Sequence, residues 1–331
     1  MVKKMLKVTG LNGLKPTMKV DRITTDEIRM SEFFELHEKF MEDKSLQGLA
    51  PRTLEEHEIH IRYFKSYLNA ANQSSIDCKA LNMDVLKSYI YYMVHEKEYK
   101  PCTVNLRLRT LKCYLRWLFE ENHLSFNYAM KIKLLKVLKD TIKPLSDGDV
   151  KKMLNATDKS TYPGFRDYSM MVLMLDCGIR VGEATQVKIE DVDTKMGLLN
   201  IKAENAKTRT FRQVPLSKYT CTLLIELINI ANDNGCEFIF QSVYGGKIGK
   251  GQVIQNFSRL GKKMGLKVKC TPHIFRHNFA TNFVRSNQDI FTLQKILGHE
   301  TIVTTRKYVQ LENSDMIIKH KKADVLDKYF K

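Results

Sequence analysis

The sequence predicts a mainly α-helical protein with a small β-sheet, built as a helical N-terminal domain followed by a mixed α/β domain. Three observations predict it. Through most of the chain, apolar residues recur at the three- and four-residue intervals that line one face of a helix. One stretch, Leu198 to Leu216, instead breaks into two short runs, Leu199-Asn200-Ile201 and Phe211-Arg212-Gln213-Val214, around a polar turn, the pattern of a β-hairpin. A lysine-rich segment between Phe126 and Pro144, carrying Lys131, Lys133, Lys136, Lys139 and Lys143, divides 331 residues that are too many for one ordinary core.

Residues 1–28 hold Lys3, Lys4, Lys7, Lys15, Lys19 and Arg22 without a sustained period and read as a basic tail or small appendage. The helical domain is assigned to 29–125. Its first helix runs from Ser31 to about Lys44. A second follows Pro51, with Leu54, Ile61, Phe64 and Leu68 as its apolar positions, and a third covers Met83 to Glu96. The fourth opens at Pro101, a residue favoured in a first helical turn, and carries Val104, Leu108, Leu111, Leu115 and Leu118. Beside that apolar stripe lies a polar one, Asn105, Arg109, Lys112 and Arg116, which suits either a DNA backbone or plain solvent. Residues 126–144 read as a basic linker outside any core.

The second domain is assigned to 145–310. Ser146 with Asp149 three positions on has the form of a helix cap. Helical patterns follow at about 147–156, 165–178, 181–188, 217–233, 250–264, 273–285, 289–297 and 301–310, interrupted by the hairpin. Residues 311–331, with Met316, Ile317, Ile318, Val325, Leu326, Tyr329 and Phe330, form an apolar C-terminal segment fit to dock on something.

Composition narrows the partner class. Lys and Arg total 54 against 37 Asp and Glu, a formal charge of +17 that attracts polyanions, nucleic acid first among them. Seven cysteines, an odd number without a C-x-x-C pair, suggest neither a disulfide framework nor a cysteine zinc site and fit a reducing cytoplasm. The start of the chain lacks the apolar core of a secretory signal. The most apolar stretch, Met170 to Ile179, is interrupted by Asp176 and is far shorter than the ~20 residues of a membrane span.

An ordered series of short motifs carries the chemistry. Gly178-Ile179-Arg180-Val181-Gly182-Glu183 comes first, then Ala206-Lys207-Thr208 ahead of Arg212-Gln213-Val214-Pro215-Leu216. Thr271-Pro272-His273-Ile274-Phe275-Arg276-His277 follows, then Leu297-Gly298-His299, and Thr304-Thr305-Arg306-Lys307-Tyr308 closes it. The series resembles the tyrosine site-specific recombinases, the phage-integrase family, whose signature is an Arg, a hairpin Lys, H-x-x-R, a second His and a Tyr nine residues beyond it. Tyr308 stands nine positions after His299. The likeness spans residues 31–331 and is strongest from 145 to 310. Gly182 where Ser is frequent and Phe275 in place of a common Leu are its small departures, and neither alters charge or nucleophilicity.

The resemblance implies a core-binding helical domain joined to a catalytic domain, and an enzyme that cleaves and rejoins DNA strands without metal, cofactor or ATP. Tyr308 is then the nucleophile that forms a covalent 3′-phosphotyrosine. Lys207 is the general acid for the leaving 5′-oxygen, with Lys202 and Arg209 as nearby decoys, and His273 and His299 bond the scissile phosphate and help manage the Tyr308 proton. Arg180 and Arg276 suit the task on physical grounds alone, because a phosphorane-like transition state without metal needs paired, permanently charged donors on its nonbridging oxygens. Glu183 is expected to orient a catalytic residue and His277 to pack beside Arg276. Arg109, Lys112, Arg116 and Arg212 are the candidate DNA contacts. The family's assembly implies a protein that is monomeric when free and tetrameric on two double-stranded recombination sites. It exchanges strands through a Holliday junction, lends its C-terminal segment to a neighbour, and can be aided by an accessory DNA-bending or directionality factor. A bacterial-type cytoplasm and nucleoid are the implied location. Integration or excision of a mobile element is the expected task, with resolution of chromosome or plasmid dimers as the alternative.

Competing readings are weaker. His273 and His277 have metal-ligand spacing, but position 274 is Ile where H-E-x-x-H needs Glu. The run Gly245 to Gly251 imitates a phosphate cradle yet places Gly after Lys250 where Ser or Thr is required, so it reads as a basic surface turn. A nonenzymatic DNA-binding protein would not need every matched catalytic residue, and a tyrosine topoisomerase fits the H-x-x-R and L-G-H motifs less well.

Overall fold

The helical periods of the first half of the chain become helices whose ends follow from local chemistry. A computed structural model of the protein describes residues 28–70, 81–137, 144–206, 208, 210–286 and 288–309. The basic tail up to residue 27, the 311–331 segment, Lys207 and Arg209 lie outside the described residues. The described residues divide into two units, one on each side of residue 140.

In the first unit, α1 (Met30–Leu46) and α2 (Pro51–Ala70) are followed by α3 (Met83–Tyr91), which the Asn82 side chain caps by accepting from the Asp84 and Val85 amides. The third helical pattern ends in a wider turn over Tyr92–Glu96, closed by Lys97 N–H to the Tyr92 carbonyl. Helix α4 (Pro101–Glu120) buries all five of its predicted apolar positions. Around it an aromatic core forms from Phe33, Phe40, Phe64 and Tyr114, with Phe33 and Phe40 ring centroids 4.9 and 5.0 Å from Tyr114.

The presumed linker begins later than the lysines suggest. After α4, a short helix α5 (Tyr128–Lys131) and the chain behind it close this core, with Ala129 and Ile132 buried. Two bonds from the Asn105 amide grip the Leu135 backbone, and Lys112 Nζ donates to the Ile132 carbonyl. Residues 128–135 therefore belong to the first unit. The physical reason is that the lysines among them present their stems at the surface while Ile132, whose burial is worth about 2 kcal/mol, turns inward. Half of the polar stripe on α4 is thereby turned toward this segment: Asn105 is buried against it and half-buried Lys112 spends one of its three donors there, whereas Arg109 and Arg116 remain exposed.

This core also holds neutral histidines. Burial first, and His57 second, bring the His37 pKa down to about 4, and His57 and His60 are lowered as well, burial again leading. His37 Nε2 and His57 Nδ1 have no hydrogen-bond partner among the described residues, so a proton there would be a buried donor without an acceptor. The unfolded chain takes those protons near the ordinary value of 6.5, so stability is lost as pH falls from there toward about 4. His37 alone should lower stability by about 2 kcal/mol between pH 7 and pH 5. Urea unfolding followed by Trp117, the chain's one tryptophan, checks this. An unchanged urea midpoint across that range would contradict it.

The second unit is built on α7 (Tyr162–Cys177), which buries Met170, Met171, Leu173 and Met174 and so is surrounded by protein. Before it lies α6 (Asp147–Asn155), where Ser146 Oγ accepts from the Asp149 amide. Beyond it come α8 (Val181–Ala184), shorter than the 181–188 expected, and a three-stranded antiparallel sheet in the order β1 (Val192–Asp193), β2 (Leu198–Ile201), β3 (Arg212–Pro215). The hairpin register pairs Leu199 with Val214 and Ile201 with Arg212; the brief first strand carries too little pattern to be read in advance. Helices α9 (Lys218–Asp233), α10 (Lys250–Lys263), α11 (Pro272–Arg285), α12 (Ile290–Leu297) and α13 (Ile302–Arg306) complete the unit. The glycine-rich run before α10 is a tight turn, closed by Ser242 N–H to the Gly246 carbonyl.

Candidate active site

Two helix ends create the site. An α-helix leaves its last carbonyls unpaired and its C-terminus partly negative, so cations gather there. Helices α7 and α12 both end in a left-handed glycine, Gly178 at φ 62° and Gly298 at φ 61°. Glycine is required twice over at Gly178, since a Cβ would fall 2.3 Å from the Phe279 ring. Arg276 Nη1 donates to the Gly178 carbonyl at 2.6 Å, and Nη2 to the Leu297 carbonyl at 2.9 Å. Arg180 reaches the same end of α12, through Nη1 to Leu297 O at 3.3 Å and Nη2 to Gly298 O at 3.1 Å.

The protein leaves part of each guanidinium unused. Arg180 spends a third donor on Glu183 Oε1 and Arg276 a third on His299 Nε2. With five N–H groups on every guanidinium, about two on each remain for an anion. Arg276 is only 5% exposed. Burial, followed by the charge of Arg180, holds its pKa down to about 10, which still leaves it charged at neutral pH.

Glu183 ties this arrangement to the sheet. Its carboxylate accepts from the Arg180 amide at 2.8 Å, from Arg180 Nη1, and from both Nη atoms of Arg212 at 3.1 and 2.8 Å. Burial pushes its pKa up, but bonding to Arg212 and the charges of Arg212 and Arg180 outweigh burial and leave it lowered. Three guanidiniums around one carboxylate leave a positive surplus. Arg212 does not have the place expected of it. Rather than offering a DNA contact it is buried, because alternation along β3 puts it on the inward face with Val214.

His299 is neutral by geometry. Arg276 can only donate, so Nε2 must accept its 2.9 Å bond. The ring proton then sits on Nδ1, 2.8 Å from Thr305 Oγ1. Burial first, then Arg276, brings its pKa to about 3. Thr305, fully buried on α13, accepts that proton and holds the ring's orientation, a role that escaped sequence reasoning. Tyr308 follows α13 and is 8% exposed. Its ring lies nearly parallel to His299, 10° between planes and 6.4 Å between centroids, and 5.2 Å from His277. His277 is thus a neighbour of Tyr308, and Tyr308 enters the electrostatic surroundings of Arg276. His273, exposed on the first turn of α11, has its pKa lowered by partial burial and then by Arg276, Lys250, Arg180 and Lys307. Lys250, read in the sequence as part of a basic surface turn, and Lys307, inside the closing tyrosine motif, were not expected to act on His273.

The second unit therefore brings together Arg180, Glu183, Arg212, Arg276, His299 and Tyr308, with His273 and His277 beside them. Arg109, Lys112 and Arg116 lie in the first unit. Of the lysine decoys, Lys202 is held by Glu190 and Asp191. Among the described residues no group of three or more His, Cys, Asp or Glu side chains could hold a metal ion, and no helix is long and apolar enough to cross a membrane.

Comparison with known proteins adds the following. Residues 143–315 match the phage integrase family, and residues 32–134 match the phage integrase SAM-like domain. The chain is 26% identical over 271 residues to the tyrosine recombinase XerD of Listeria monocytogenes, covering 80% of this chain and 90% of that one. With the tyrosine recombinase XerC of Halalkalibacterium halodurans it shares 24% over 275 residues, 79% of this chain and 88% of that one. The Tn1549 transposon integrase in complex with circular intermediate DNA has a similar fold, with a TM-score of 0.71 at 18% identity over 88% of this chain and 99% of that one. So does a lambda integrase tetramer bound to a Holliday junction, with a TM-score of 0.68 at 18% identity over 87% and 80%.

Proposed function

The chain belongs to the phage integrase family of tyrosine recombinases, and we propose that it recombines specific DNA sites through a covalent 3′-phosphotyrosine at Tyr308. The observation that supports this most is the convergence of Arg180, Arg276, His299 and Tyr308 at the ends of α7 and α12, with donors to spare and positive charge in excess.

In this mechanism a scissile phosphate sits against the free donors of Arg180 and Arg276, which stabilise the charge that grows on its nonbridging oxygens. Tyr308 Oη attacks phosphorus and loses its proton to His273, which takes no hydrogen bond among the described residues and whose lowered pKa keeps it neutral. The bond to O5′ breaks, and Lys207 supplies the proton that turns this oxygen into a hydroxyl. Bond energy is kept in the tyrosyl ester, so the reverse attack by a 5′-hydroxyl reseals a strand without ATP. His299 holds Arg276 in place and faces the Tyr308 ring. The engagement of Lys202 with two carboxylates favours Lys207 over it as the acid.

Four protomers on two sites, a Holliday junction, exposed Arg109 and Arg116 on DNA phosphates, exchange of the 311–331 segment, and a cytoplasmic location at the nucleoid complete the reading. Integration or excision of a mobile element is the task we assign, with residues 1–28 available for a separate DNA contact. The relatives named XerC and XerD favour a second reading, resolution of chromosome or plasmid dimers. Nicked suicide duplexes drawn from DNA flanking the gene test the chemistry. Native protein should give a denaturation-resistant protein–DNA adduct, and paired sites should yield recombinant joints. Salt-sensitive binding without an adduct would support a nonenzymatic protein, and relaxation without joints a topoisomerase.

Lys207 has a test of its own. Lys207→Met should slow single-turnover cleavage about 1000-fold, within the span of general acid catalysis. Placing sulfur at the bridging 5′ position makes a leaving group that needs no proton, and should bring the variant within about tenfold of native. Equal defects on both substrates would remove Lys207 from that role.

A further inference from the structure

We propose that Arg212 is a positioning residue for DNA cleavage, setting how Arg180 and His299 face the phosphate; the proposal rests on the recombinase reading above. Arg212 is 8% exposed and touches the supports of both groups. Its Nη1 and Nη2 hold the two oxygens of Glu183, and its Nε donates to the Ile296 carbonyl at 2.9 Å, at the end of α12. Each Glu183 oxygen is shared: Oε1 with Arg180 Nη1 and Oε2 with the Arg180 amide. Arg180 and Arg212 are the two cations paired with this carboxylate among the described residues.

The sharing has an electrostatic consequence. While Arg212 takes up most of the Glu183 charge, Arg180 keeps its own for the substrate. Without Arg212, a buried carboxylate with one remaining partner draws Arg180 into a two-point pair and away from the phosphate. Arg212 also reaches the turn before His299. A Cβ on Gly298 would lie 2.9 Å from its Cζ and Nη1, so the glycine of Leu297-Gly298-His299 makes room for this guanidinium. One side chain thus braces the Arg180 arm and the His299 turn.

The test compares single-turnover adduct formation by native, Arg212→Lys and Arg212→Met full-length protein. Two nicked duplexes are used, one with a normal scissile phosphate and one with a methylphosphonate, which lacks the charge that Arg180 meets. On phosphate, Arg212→Met should be about 100-fold slower than native and Arg212→Lys about tenfold, with DNA affinity within threefold. On methylphosphonate both defects should shrink to about threefold or less, because the misdirected charge no longer matters. Arg212→Lys keeps a cation opposite Glu183, so it carries the test if the Met variant does not fold. A purely structural role would slow both substrates by the same factor, or lower only the thermal midpoint, and either outcome overturns the proposal. Native protein that forms no adduct overturns the recombinase reading itself, whereas native adduct with unimpaired variants overturns the Arg212 assignment alone.

Discussion

Tyr308→Phe protein should bind recombination-site DNA within about twofold of native and form no detectable covalent adduct, a loss of at least about 10,000-fold. The substitution deletes one oxygen and leaves the ring. That ring keeps its place beside His277 and His299 and against Ala280, Leu293 and Leu297, and a volume-conserving change in such a cluster alters stability by less than about 1.5 kcal/mol. The loss is therefore chemical. Single-turnover trapping alongside a binding isotherm separates the two quantities, and residual adduct above about 0.01% of native would mean that another side chain can attack.

The second large effect is at Arg276. Arg276→Met should slow cleavage by about 1000- to 10,000-fold, more than one transition-state donor is usually worth, because three consequences coincide. Two donors and a charge leave the phosphate. The buried Gly178 carbonyl loses its partner, the Leu297 carbonyl is left with Arg180 Nη1 alone, and His299 Nε2 loses the bond that fixes its tautomer. Arg276→Lys should recover little, since one ammonium cannot serve two carbonyls, an imidazole and an anion at once. A rate within tenfold of native for either variant, at saturating DNA, would contradict this account of the site.

Much of the fold was legible because helical period and termination agree. Val104 to Leu118 marked α4, Ser146 marked the start of α6, and Gly178 and Gly298 sit where helical patterns stop. What escaped was mostly side-chain direction. Lys112 and Asn105 looked like half of a DNA-facing stripe, yet their polar atoms satisfy the backbone at Ile132 and Leu135. Lysines between 126 and 144 masked Ala129 and Ile132, whose two inward positions complete a core without lending the segment a period. Arg212 was readable in principle. It shares the inner face of β3 with Val214, and a buried arginine needs an anion, for which Glu183 was the nearest motif carboxylate. The use of helix-end carbonyls to aim Arg180 and Arg276 depends on where two distant helices stop in space, which linear spacing does not encode.

Digesting the trapped adduct with protease and nuclease and sequencing the nucleotide-bearing peptide by mass spectrometry shows which side chain carries the DNA. In the native protein Tyr308 should carry a nucleotide esterified through its 3′-phosphate. A nucleotide on any other residue, or a 5′ rather than a 3′ linkage, would rule Tyr308 out as the 3′-linked nucleophile.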